Sequence, residues 1–229
     1  MRAPIAFIVA LLGGTAGLHA QQHEHSSNES MEADEVSPHL RVSVARAPTA
    51  ADSARGDSLV RIARQAVSRY QSPEAAEQDG YRMRSKKMKQ ARVLHYTNAA
   101  NGFRARTEWN PALPTSLLYQ RAAGGEVRLI GVMYTMPASA TLDELDARVP
   151  LSLVQWHLHT NICMPRGADA RQSADLVGRN AKFGPRGSIT TEQACLEAGG
   201  RFRAQSFGWM VHVNVMTDDP WAPGQKHMH

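Results

Sequence analysis

The sequence predicts an α+β fold, with N-terminal helices followed by a mostly antiparallel β-sheet or small barrel. Three observations carry this. Apolar residues recur at helical spacing between Asp52 and Glu77. From Val93 onward the apolar residues fall instead into short strand-like runs separated by Gly, Pro and Asn. The strongest of these runs alternate polar and apolar residues, the pattern of strands with one buried face.

The first residues have the layout of a secretory signal peptide. Arg2 precedes the apolar run Ile5 to Leu12, and small residues then lead to Leu18-His19-Ala20. Cleavage is expected after Ala20, with Ala16 as the second choice. The apolar run is too short to span a bilayer, and no later stretch qualifies as a membrane span. A periplasmic or secreted location is therefore expected. Residues 21–51 are polar and read as a disordered leader carrying His23 and His25.

The remaining chain reads as one α+β domain over 52–217, followed by an irregular His-containing tail over 218–229. Leu59, Ile62, Ala63, Ala66 and Tyr70 mark one face of a first helix, with Asp57 or Ser58 as candidate caps. Ser72 and Pro73 open a short second helix that Gly80 ends. Strands are expected at Arg92–Asn98, Ser116–Arg121, Glu126–Met136, Leu151–Cys163 and Phe207–Met216, with Gly124-Gly125 as a hairpin turn. Short helical segments are expected at Leu142–Arg148 and after Thr190 or Thr191, the latter stopped by Gly199-Gly200. Met164–Ser188 reads as a long loop.

The chain has 229 residues, 42% of them hydrophobic, and a formal net charge of +5. Basic and acidic residues are mixed, and the single dense basic run, Arg82–Arg92, reads as a solvated turn rather than a nucleic-acid surface. There is no G-x-S-x-G element, and the Gly-rich GPRGS and AAGGE lack the strand–loop–helix setting of a phosphate loop. The two cysteines, Cys163 and Cys195, are expected to form a disulfide in an exported protein, contributing about 3–4 kcal/mol by restricting the unfolded chain; the alternative is that the two thiols ligate metal.

The candidate chemistry lies in the histidines. In SLVQWHLHTNIC, strand alternation puts Gln155, His157, His159 and Asn161 on one face; in GWMVHVNVM it puts Met210, His212, Asn214 and Met216 on one face. If the two strands pair, His157, His159 and His212 converge, and His95 in LHYTN is a possible fourth ligand. Imidazole is a common ligand for copper and zinc, and three histidines with an open position also suit metal-dependent hydrolysis or oxygen chemistry. Gln155, Asn161, Asn214 and Tyr134 are candidate outer partners of the ligands. Glu108, Tyr134 and Glu192 are candidate acids or bases. His227 and His229 flank Met228 in the tail, a further copper-type grouping. The competing reading is plainer: HxH on a strand is also ordinary solvated surface, and a polar strand face also serves to bind a non-metal ligand or a protein. The expected partner is a copper or zinc ion, with no nucleic acid and no membrane span.

Several segments resemble those of a group of uncharacterised secreted bacterial proteins. They are RYQSPEAAEQDGY, HYTN, NPALPTSLLY with the following LIGVMY, WHLHTNIC and FGWMVHVN. They cover roughly Tyr70 to Asn214. The resemblance implies that these segments form one domain, and it brings no activity and no catalytic residue.

Overall fold

A computed structural model describes residues 37–83, 92–167, 176 and 181–221. All lie within one compact unit that begins at Val36. The expected signal peptide, His23, His25, His227, His229 and most of the basic run fall outside the described residues.

Among the described residues, seven strands form one antiparallel sheet: β1 (Leu40–Val42), β2 (Tyr81–Met83), β3 (Val93–Asn98), β4 (Ser116–Arg121), β5 (Val127–Met136), β6 (His157–Pro165) and β7 (Gly200–Val213). Their spatial order is β1-β6-β7-β5-β4-β3-β2. The sheet is open, with β1 and β2 at its edges, so the small-barrel alternative does not hold. Nor are the helices confined to the N-terminus. Besides α1 (Ala50–Val67) and α2 (Pro73–Gln78), α3 (Ala99–Arg104), α4 (Leu142–Arg148) and α5 (Glu192–Glu197) sit between strands.

Local chemistry accounts for most of these boundaries. Helix α1 begins earlier than its apolar periodicity suggests because Thr49 and Asp52 form a reciprocal capping box. Ser72 caps α2 ahead of Pro73. Thr141 and Glu144 make a second capping box at α4, and Thr191 caps α5. The strand expected over Leu151–Cys163 starts only at His157, since Pro150 through Leu153 form a hydrogen-bonded turn. Strand β7 starts seven residues earlier than expected, paired with β6 up to Gly200↔Pro165. The segment 37–51, expected as leader, supplies β1 and the start of α1. Trp221 in the expected tail packs against the core.

The main core lies on one face of the sheet. Leu94, Tyr96, Leu117, Tyr119, Val132, Tyr134, Leu158, Trp209, Val211 and Val213 meet Leu59, Val60, Ala63 and Val67 of α1, Ala76 of α2 and Leu145 of α4. Tyr119 donates its hydroxyl to the Tyr70 and Ser72 carbonyls, tying the sheet to the turn between the first two helices. On the other face a smaller apolar cluster joins Val93, Leu118, Ile130, Met133 and Met210.

The connection from β6 to β7 is stapled. Cys163 and Cys195 form a disulfide with Cα atoms 5.5 Å apart, spanning 32 positions. Both cysteines are fully buried with Ile189, against Phe183 and Phe202. The bond anchors α5 to the end of β6 and fixes how β7 leaves to run back along it.

Candidate functional site

The face opposite the main core carries the histidines. Trp156, just ahead of β6, and Leu158 within it point into the core, so His157 and His159 point the other way. In β7, Trp209, Val211 and Val213 point into the core, leaving Met210 and His212 on the histidine face. In β3, Leu94 and Tyr96 leave Val93 and His95 there. The alternation read from the sequence thus operates in each of the three strands.

Four imidazoles meet in a chain. The ring centroids of His95 and His212 are 5.3 Å apart, those of His212 and His157 5.1 Å, and those of His157 and His159 5.7 Å. The Nε2 atoms of His95 and His212 approach to 3.4 Å. At this distance one ring donates a hydrogen bond to the other, the donor being set by the tautomers. Two imidazoles sharing a tetrahedral ion at about 2.0–2.1 Å per bond would place their nitrogens about 3.3–3.4 Å apart and their centroids about 5 Å apart. The His95–His212 nitrogens stand at that spacing, and the centroid separations of the three neighbouring pairs, 5.1–5.7 Å, lie near it.

The His95–His212 contact has a structural requirement. Strands β3 and β7 are separated by β4 and β5. In a flat sheet three steps of about 4.8 Å would hold them about 14 Å apart. The sheet therefore curls across this face, over a floor that includes Leu118 and Met133. A register shift between Leu118 and Tyr119 marks a bulge in β5 around Ile130, next to Gly131. A Cβ on Gly131 would lie 2.4 Å from the Val213 carbonyl oxygen, so only glycine allows the backbones of β5 and β7 to close at this point.

A second irregularity flanks His159. The β6–β7 register passes from His157↔Met210 to His159↔Ser206, leaving extra residues on β7. Phe207 within that bulge has φ +66°, a costly left-handed conformation for a bulky residue. Its ring is exposed and stands edge-on to His159, with centroids 6.4 Å apart. Gly208 follows, where a Cβ would collide with the Met136 carbonyl.

Burial sets the electrostatics. His95 is pushed down to about 4 by desolvation and then by His159. His157 falls to about 3 through desolvation, with His159 and His95 adding to it. His159 falls to about 4 through desolvation, partly offset by a hydrogen bond to the His39 main chain. These three rings are neutral at pH 7, the form that binds metal.

His39 escaped sequence reasoning because it sits in the polar segment taken as leader. It is buried and donates Nε2–H to the Gly187 carbonyl at 2.6 Å, while its main chain holds His159. A ring nitrogen held by a backbone carbonyl fixes the orientation of an imidazole.

The candidate outer partners are dispersed. Tyr134 lies on the opposite face, donating to the Pro111 carbonyl at 2.7 Å and packing edge-on to Trp109. Its register neighbour Met133, opposite His212, takes the histidine face. Gln155 is exposed ahead of β6 and donates to the Ser43 carbonyl. Asn161 has φ +53° and donates to the Pro38 carbonyl. Asn214 is buried just past β7, and its Oδ1 has no hydrogen-bond partner among the described residues. Glu108 lines a small pocket with Trp109 and Tyr134, and Glu192 lies in the first turn of α5.

As the side chains stand, no group of three or more His, Cys, Asp or Glu among the described residues is arranged to hold a metal ion. Ring rotations are needed to turn the imidazole chain into a closed ligand set. Comparison with known proteins gave no match: no family model, no curated protein and no solved structure is similar to this chain.

Proposed function

We propose that this chain is an extracytoplasmic metal-binding protein holding one copper or zinc ion with His95, His157, His159 and His212. The observation that carries the reading is the 3.4 Å approach of the His95 and His212 Nε2 atoms across a curled sheet. Imidazoles on one sheet face, His159 buried and the other three half-buried, supply the donors, and rotation about the side-chain bonds closes them on an ion. Extracytoplasmic placement is supported by the signal-like N-terminus and by the Cys163–Cys195 disulfide. No described helix is long and apolar enough to cross a membrane.

Binding is preferred to catalysis for a specific reason. Tyr134, the tyrosine considered as an acid or base, is committed to the Pro111 carbonyl on the other face of the sheet. The test is metal analysis of untagged protein in which His23, His25, His227 and His229 are all replaced by Gln. One equivalent of copper or zinc should remain, and His95→Ala, His157→Ala and His212→Ala should each remove it. Retention of metal by all three Ala variants, or no stoichiometric metal in the parent, would overturn the reading.

A further inference from the structure

We propose that the ion is copper, taken as Cu(I), and that the thioethers of Met133 and Met210 join the imidazoles in holding it. The inference rests on the histidine site proposed above. Met133 is the direct cross-strand partner of His212, and Met210 that of His157. Opposed residues in an antiparallel pair have Cβ atoms about 4.5–5.5 Å apart on one face. Each methionine therefore starts beside one of the two central imidazoles, and its unbranched side chain lets the sulfur sweep toward the nitrogens.

Both methionines are 7% exposed and share the apolar cluster with Val93, Leu118 and Ile130. That surrounding matters twice. Soft thioether sulfur selects Cu(I), whereas imidazole serves copper and zinc alike. The donors offered here are all uncharged, and burying a monovalent ion among uncharged donors costs less than burying a divalent one. A zinc site in such surroundings gains from an anionic ligand, and both thiols that would supply one are locked in the disulfide.

The test uses the full mature chain carrying the four terminal His→Gln replacements. Cu(I) affinity is measured by competition with bicinchoninate, and Zn(II) affinity by competition with a zinc chromophore. In the Met133→Leu/Met210→Leu variant, which conserves side-chain volume, Cu(I) affinity should fall at least tenfold while Zn(II) affinity stays within about twofold. Equal losses for both ions would assign the methionines a packing role and overturn the proposal, as would no loss for either. Should the double variant not fold, the two single variants are compared in the same way, and at least one must show the selective Cu(I) loss. His95→Ala/His212→Ala separates the two claims. If that variant binds both metals like the parent, the histidine site itself is wrong. If it loses both while the methionine variants stay unchanged, only the copper–thioether inference falls.

Discussion

The curvature that joins His95 to His212 depends on Gly131, and Gly131→Ala puts that dependence to the test. The added Cβ would sit 2.4 Å from the Val213 carbonyl oxygen and 3.0 Å from the Asn214 Cα. Ordinary carbon contacts lie at about 3.5–4.0 Å, so β5 and β7 must part by about 1 Å. The obstacle is backbone on both sides, and no side-chain rotamer relieves it. Overpacking of this kind costs about 1–3 kcal/mol. The strain falls next to Val132↔Val213 and Met133↔His212, so it also displaces His212 relative to His95. Urea unfolding of the metal-free protein should show a loss of about 1–3 kcal/mol, and metal competition should show roughly tenfold weaker binding, equivalent to about 1.4 kcal/mol. Gly124→Ala is the control, since a Cβ there meets nothing within 4 Å. Wild-type stability together with wild-type affinity in Gly131→Ala would refute the closure argument.

Other outcomes follow from the same structure. Metal-free protein should lose stability as pH falls from about 6.5 toward 4. Unfolded imidazoles protonate near 6.5, whereas His95 and His159 resist until about 4 and His157 until about 3, so acid adds protons to the unfolded chain first. Urea midpoints at pH 7.5, 5.5 and 4.5 check this, and a flat profile contradicts the burial of the rings. Cys163→Ala/Cys195→Ala should cost about 3–4 kcal/mol for a link spanning 32 residues, read as a lower urea midpoint under non-reducing conditions. Tyr134→Phe removes a donor to a carbonyl and should cost about 1–2 kcal/mol. It should leave metal affinity unchanged, and a metal-affinity loss would mean that Tyr134 communicates with the site through the sheet.

The faces of the key strands were legible in the sequence because alternation in WHLH and WMVHV is a local property. Pairing of β6 with β7 was a fair inference from matching polar faces. The approach of His95 was less accessible. It depends on a bulge near Gly131 and on curling across two intervening strands, and neither leaves a periodic trace. His39 and β1 were missed for a related reason. Leu40–Val42 is too short to show a pattern and is held by pairing with His157–His159, a contact far away in sequence. Tyr134 was grouped with the histidines by residue type, and only the register Met133↔His212 assigns it to the other face. Helix α1 began early because a capping box at Thr49 outweighed the weakly apolar residues after it.

The proposed site has the imidazoles of one curled sheet face closing on a single ion. X-ray absorption at the metal edge, on protein loaded with one equivalent and carrying His→Gln at positions 23, 25, 227 and 229, tests it most directly. The expected spectrum has a first shell with at least two nitrogen donors at about 2.0–2.1 Å, together with the outer-shell scattering of imidazole rings. A shell of oxygen donors lacking imidazole scattering, or a protein that retains no ion at all, would contradict it.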